Sequence, residues 1–227
     1  MQELIAHFYG FKQPYLPMLE LMHQLHEGIA HKKEQAHLML LEHEPVITIT
    51  RQHQMRSIKT SEELILEDQI ALHVADRGGD ATFHGPGQLV GYPLLPVKDI
   101  ESSIRGLEQA LFGALQNLGL KNIHTHKGFS GIWWQDHRPG KIELKKLIAI
   151  GIGIKDGVTK HGFALNISID HRPYSKHIIP CGLKDRGIAT LNEAFSQESL
   201  PMPDYLDIVH AVAQSIAKTF SLTVSWS

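Results

Sequence analysis

The 227-residue sequence has a single cysteine, Cys181, which excludes an internal disulfide framework and suits a reducing compartment. No apolar run approaches the roughly eighteen residues that a membrane span demands, so no contact with a membrane is expected. Neither sign of charge is in excess. The 22 Lys and Arg against 24 Asp and Glu leave a net charge of −2, and nothing global favours nucleic acid. Met1 to His7 has neither a basic stretch nor a long apolar core, so no secretory signal is expected and a cytoplasmic location is. The 16 histidines are numerous, yet HExxH and paired cysteines are missing; His124, His126 and the rest are scattered, and no metal site is expected. Repeats, low-complexity tracts and linkers are missing too. The chain therefore reads as one domain over residues 1–227, large enough to bury a core without crosslinks.

What is present is a series of short periodic segments. Ile5 to Tyr9 reads as an opening strand. Pro17 suits the first turn of a helix carrying Leu19, Met22, Leu25 and Ile29 on one face, with His23, His26 and His31 expected on the solvated side. His37–Glu42 and Pro45–Thr50 are β-rich runs, and Ile70–Ala75 is another strand. Thr60 and Glu63 have capping-box spacing for a short helix ending at Glu67. Ile104, Leu107, Leu111, Leu115 and Leu118 mark a core helix, capped by Ser102 or Ser103 and stopped at Gly119. Phe129–Trp134 reads as a strand and Gln135–Gly140 as an exposed turn. Leu147–Ile154 and Val158–Ile169 read as strands meeting around Asp156 and Gly157. A loop spans His171 to Gly187. The last helix starts near Pro203 and uses Leu206, Val209, Val212, Ile216 and Phe220, and a strand, Leu222–Trp226, closes the chain. Strands in hairpin-like succession, with three main helices set apart, predict an α+β fold rather than repeated βαβ units.

Between the strand ending at Ala75 and the apolar run from Leu89 lies the most distinctive stretch, Arg77-Gly78-Gly79-Asp80-Ala81-Thr82-Phe83-His84-Gly85-Pro86-Gly87-Gln88, continuing to Gly91-Tyr92-Pro93. Four glycines and a proline before Leu89 indicate a shaped loop whose backbone can approach a ligand. Arg77 and His84 give its ends groups suited to a carboxyl or thioester substrate. The spacing is neither GxGxxG nor Walker, so nucleotide phosphates are not indicated.

Cys181, between Pro180 and Gly182, sits at a turn-prone site whose backbone amides can face an oxyanion. A lone cysteine is also an ordinary small core residue. A free thiol titrates near roughly 8.5, so a working cysteine needs a cation beside it. The segment Lys145-Lys146-Leu147-Ile148-Ala149-Ile150-Gly151 leads a lysine into an apolar strand, where desolvation would favour its neutral form; a solvated lysine at a turn is the plainer alternative.

Four segments, in order, resemble the signatures of the lipoyl(octanoyl) transferase family of lipoate biosynthesis. Arg77 to Pro93 resembles RGG-x-x-T-x-HGPGQ-x-x-GYP, and Lys146 to Gly151 resembles K-[IL]-x-x-[IL]-G. Thr159 to Asn166 resembles T-x-HG-[FL]-A-LN, and Pro180 to Leu183 resembles PCG-[IL]. Lys146 keeps the family's distance to Gly151; Lys141, followed by Ile142, is the reserve. The resemblance implies a biotin/lipoate protein ligase-like fold, with a mixed, mostly antiparallel sheet flanked by helices.

It further implies ping-pong transfer of an octanoyl group. The donor would be octanoyl-acyl carrier protein, and the acceptors lysines on lipoyl domains of 2-oxoacid dehydrogenases and on the glycine cleavage H protein. Cys181 would be the nucleophile; Lys146 would stabilise its thiolate and later take a proton from the incoming amine, with His84 or His161 assisting. Binding would involve Arg77, Gly78, Gly79, Asp80, Ala81, Thr82, Phe83 and His84, then Ala149, Ile150 and Gly151, then His161, Gly162, Phe163 and Ala164. No cofactor is implied. An acidic carrier would meet local lysines, namely Lys121, Lys127, Lys141, Lys145, Lys155 and Lys160. Two alternatives stay open at this point: an ATP-dependent lipoate- or biotin-type ligase, which would not need Cys181, and a non-catalytic module that binds acylated carriers.

Overall fold

The computed structural model describes residues 2–32, 34–50, 57–138, 143–179 and 187–227. Cys181, the rest of the Pro180–Leu183 segment and Lys141 lie outside the described residues. The chain opens with β1 (Glu3–Phe8), α1 (Tyr15–Lys32), β2 (Ala36–Leu41) and β3 (Val46–Thr50). A short α2 (Glu62–Glu67) leads to β4 (Ala71–Ala75), β5 (Thr82–His84) and β6 (Gln88–Leu94). Then follow α3 (Ile100–Asn117), β7 (Ile123–His126), β8 (Phe129–Asp136), β9 (Glu143–Lys155) and β10 (Val158–Asn166). The last part holds α4 (Arg172–His177), α5 (Leu191–Gln197), α6 (Tyr205–Thr219) and β11 (Thr223–Trp226). None of these helices is long and apolar enough to cross a membrane.

The expected α+β class holds, and the sheet is mixed and mostly antiparallel. Eight strands run in the order β11-β1-β2-β6-β10-β9-β8-β7, with β1 parallel to both β2 and β11 and the other pairs antiparallel. A second sheet, β4-β3-β5, was not foreseen; β5 formed inside what the sequence presents as a continuous loop.

Alternation along the strands gives the large sheet two different faces. Leu38, Leu40, Leu89, Ile148 and Leu165 pack beneath α3 and α6, against Leu107, Leu111, Leu115, Ile208, Val212 and Ile216. Met39, Leu41, Val90, Tyr92 and Ala164 face the other way, against Met22 and Ile29 of α1.

Several local expectations are corrected. Helix α3 starts earlier than expected because Asp99, not Ser102 or Ser103, is its N-cap; the Asp99 carboxylate accepts from the Ser102 amide at 2.8 Å. Thr60 does not cap α2, since Ser61 holds that position and the Thr60 hydroxyl meets His177 Nδ1 at 2.7 Å. His26 is buried rather than solvated, with Nε2 3.1 Å from the Lys155 carbonyl at the β9–β10 turn. Strand β8 runs on through Gln135 to a buried Asp136, and the loop after His171 begins with α4. Leu206 is exposed, so the α6 stripe starts at Val209 and its neighbour Ile208.

Candidate active site

The loop from Arg77 to Gly79 lies across β9, and the approach is close. A Cβ on Gly151 would stand 2.8 Å from the Gly78 carbonyl oxygen, so the site tolerates no side chain there. On the neighbouring strand, a Cβ on Gly162 would come within 1.9 Å of the Gly91 carbonyl oxygen. These contacts let β6, β9 and β10 form the floor of a cleft under the loop. Arg77, Gly78, Gly79, Thr82 and His84 line one side of it. Ala149, Ile150 and Gly151 line the middle, and His161 to Ala164 line the other side. Three separate predicted segments are thus brought together.

Asp80, Ala81 and Phe83, also expected to bind substrate, do not line the cleft. Residues of β5 alternate, so Thr82 and His84 turn inward. Ala81 and Phe83 turn to a small core with Ile47 and Tyr174. Asp80 instead accepts from the Ser57 hydroxyl and from the Ala81 amide.

Lys146 follows from a bulge. Trp133 pairs with Lys146, Ile132 with Ile148 and Gly131 with Ala149, so Leu147 is an extra residue in β9. Cross-strand partners share a face; Ile132, Trp134, Ile148 and Ile150 all join the core beneath α3 and α6, so Trp133, and Lys146 opposite it, turn the other way. Lys146 therefore shares a face with Ala149 and Gly151, although the odd spacing from Lys146 to Gly151 would otherwise put them on opposite faces. Its Nζ donates to the Ser130 carbonyl at 3.3 Å and stands 4.6 Å from the Trp133 ring centroid. Lys145 lies on the opposite face, where its Nζ bonds the buried Asp136 carboxylate at 2.9 Å. Of the lysines expected to meet an acidic carrier, Lys145 and Lys160 are thereby tied to Asp136 and Asp76.

Groups beyond those read from the sequence complete the cleft. Tyr15, Thr48, Val90 and Tyr92 line it. Arg77 donates from Nε and Nη2 to the Thr48 hydroxyl at 3.1 and 2.8 Å and from Nη2 to the Thr48 carbonyl at 2.9 Å. Behind the wall, His84 Nδ1 meets Gln88 Oε1 at 2.7 Å, and Gln88 Nε2 donates to Asn166 Oδ1 at 2.9 Å. Asn166 Nδ2 reaches the Lys146 carbonyl at 3.4 Å, so a buried polar chain links the loop to the lysine strand. The available signal was a polar residue inside an apolar run, such as Thr48 between Ile47 and Ile49 or Tyr92 after Val90; such residues fit an ordinary core equally well.

Burial sets the charge state. It pushes His84 down to about 3 and His43, whose Nε2 lies 2.7 Å from the Tyr92 hydroxyl, down to about 4. It raises Tyr15 to about 12 and holds Tyr92 well above the usual phenol range. His161 is lowered by burial, opposed by its bond to Asp76, while the bond from His161 keeps the Asp76 carboxyl far below the ordinary range. At neutral pH the cleft offers neutral imidazoles, protonated phenols and the Arg77 guanidinium above an apolar floor. That combination suits an uncharged acyl chain ending in a polar carbonyl.

The chain matches the family described as lipoyl protein ligase A/B catalytic domain over residues 14–216. It is 34% identical over 224 residues to an octanoyltransferase of Acidobacterium capsulatum, covering 93% of this chain and 88% of that one. Among solved structures, an archaeal bipartite lipoate protein ligase and its E2 lipoyl domain from Thermoplasma acidophilum superpose with TM-score 0.75 at 14% identity, covering 100% of this chain and 87% of that chain. A lipoate-protein ligase A bound with ATP gives TM-score 0.75 at 16% identity, covering 100% of this chain and 89% of that one. At those identities the solved structures establish the lipoate-protein ligase fold alone. The family match and the curated relative go further: the chain belongs to the lipoyl protein ligase A/B catalytic-domain family and, within it, to the octanoyltransferases, which are acyltransferases.

Proposed function

We propose that this protein works in the cytoplasm and moves an octanoyl group from octanoyl-acyl carrier protein to a lysine ε-amine on a lipoyl domain, through a thioester on Cys181. The supporting observation is the bulge at Leu147, which turns Lys146 onto the face that carries Ala149 and Gly151. The chain flanking Cys181 is held near both parts of this site. On one side Ile179 donates to the Ser57 carbonyl at 2.9 Å, beside Asp80; on the other, Lys146 donates to the Gly187 carbonyl at 2.9 Å.

In the first half-reaction the Cys181 thiolate attacks the donor thioester. The new C–S bond forms as the carrier's C–S bond breaks, and the carrier leaves as a thiol with a proton from Lys146. The octanoyl chain lies on Val90, Phe163 and Ala164, where burial stabilises it by about 0.8 kcal/mol per methylene. In the second half-reaction Lys146, left neutral by the first, takes a proton from the acceptor amine as it attacks; the C–N bond forms, the C–S bond to Cys181 breaks and the thiolate leaves beside the restored ammonium, so each half is a simple acyl exchange.

Intact mass after mixing with octanoyl carrier tests this reading. The wild type should gain one octanoyl group and release it to a lipoyl domain, Cys181→Ser should gain none, and Lys146→Ala should acylate about a hundredfold more slowly. Product from free octanoate and ATP, undiminished in Cys181→Ala, would replace this proposal with a ligase.

A further inference from the structure

We infer that the β7–β8 hairpin is the surface on which the acidic donor carrier lands, with His124 and Lys127 as its basic contacts; this rests on the acyl-transfer reading above. Strand β7 is the last strand of the large sheet, and register sets it beside the lysine strand. His124 pairs with Trp133, and Trp133 pairs with Lys146, so an imidazole and an ammonium flank one indole on a single face. With neighbouring strands about 4.8 Å apart, His124 lies roughly 10 Å from Lys146.

Aromatic contacts carry that row out to the hairpin tip. The Phe129 ring stands 6.4 Å from Trp133 and 5.1 Å from His126. Phe129 is nonetheless 36% exposed, and His124 and Lys127 are exposed as well. A Cβ on Gly128 would meet nothing within 4 Å, so the tip projects into open space. On this side of the sheet α1 packs against β2, β6 and β10, whereas α3 lies behind β7, β8 and β9.

The charge of the hairpin is of one sign. Leu120 to Gln135 contains no Asp or Glu. Glu198 accepts from the Lys121 and Asn122 amides and Glu108 from the Gly131 amide, so both nearby carboxylates are engaged by backbone. Among the described residues His124, His126 and Lys127 pair with no carboxylate. The two protein substrates differ in what they bring to such a surface. The acceptor presents a lysine ammonium, which basic groups repel. The donor presents its thioester on a phosphodiester-linked arm from an acidic body, and basic groups around an exposed aromatic complement both. Lys155 is the contrast. It is equally exposed, but it lies nine positions beyond Lys146 on β9, about 30 Å away at 3.3 Å per residue.

Loading from two donors tests the assignment: octanoyl carrier protein, and octanoyl-pantetheine, which keeps the thioester and lacks the protein. His124→Glu combined with Lys127→Glu should lower kcat/KM for the carrier about tenfold at low salt, and added salt should narrow the gap. Loading from octanoyl-pantetheine should stay at the wild-type rate, as should release to a lipoyl domain. Lys155→Glu should change none of these. Wild-type kcat/KM for the carrier in the double variant overturns the inference and leaves the acyl-transfer reading intact. Equal losses with both donors, an equal loss in Lys155→Glu, or a loss confined to release would do the same. A wild type that never gains octanoyl from the carrier overturns both.

Discussion

The two faces of the eight-stranded sheet are made from alternate residues of the same strands, yet they share little. Beneath α3 and α6 the buried contacts are chiefly apolar, and Leu38, Leu40, Ile148 and Leu165 are wholly buried. The other face buries His84, Tyr92 and His161 beside the same strands, with Thr48 and His43 close by. Area removed from water stabilises the first at about 25 cal/mol per Å², with no geometric demand. The second holds only because nearly every polar group meets a partner at hydrogen-bond distance, and those partners fix where each group points. One face therefore sets the stability of the fold and the other sets its chemistry, and damage to them should separate.

The largest separation should come from Leu111→Ala. Leu111 is fully buried at the centre of α3, and its truncation should cost about 2–5 kcal/mol in urea unfolding. Transfer per folded molecule, measured well below the lowered midpoint, should stay at the wild-type value. A parallel fall in specific activity would show that the faces are not independent.

Acid should strike the cleft face first. His84 at about 3 and His43 at about 4 sit below the 6.5 of an exposed histidine. The unfolded chain therefore binds more protons than the folded one between these values. Their contribution is complete above pH 6.5 and is lost as pH falls toward 4. At about 1.4 kcal/mol per unit, the loss amounts to a few kcal/mol between pH 7 and 4, read from urea midpoints. Glu193, held down at about 2 chiefly by His171, adds to the same trend only at the acid end. His43→Gln should flatten the slope while Leu111→Ala lowers the whole curve without changing its shape.

The core face was largely legible in the sequence because periodicity reports it directly. The stripe Leu107, Leu111, Leu115 and the β9–β10 hairpin at Gly157 stand where the spacing puts them. The cleft was legible only through segments in which several special residues occur together, such as Arg77 to Gly79. Thr48, His43 and Tyr92 carried no comparable mark, since a buried polar residue is recognised by partners distant in sequence. The Tyr92 hydroxyl meets His43 across 49 positions, and Asp76 meets His161 across 85. Strand periodicity also misleads wherever a bulge resets it. Nothing local in Lys145-Lys146-Leu147 announces which lysine faces the cleft.

That adjacent pair gives the smallest and sharpest test. Lys145 is 12% exposed and bonds Asp136, whose carboxyl is held far below its usual range by Arg138 first, then by Gln197 and Lys145. Lys145→Met keeps the apolar stem and removes one charged hydrogen bond, while Arg138 and Gln197 remain on Asp136. A loss of about 1–2 kcal/mol is expected, with transfer unchanged. Lys146→Met one residue later should do the reverse: stability within about 0.5 kcal/mol of wild type, because Lys146 pairs with no carboxylate among the described residues, and acyl transfer largely gone. If the two variants exchanged phenotypes, the bulge at Leu147 would not be what assigns each lysine to its face.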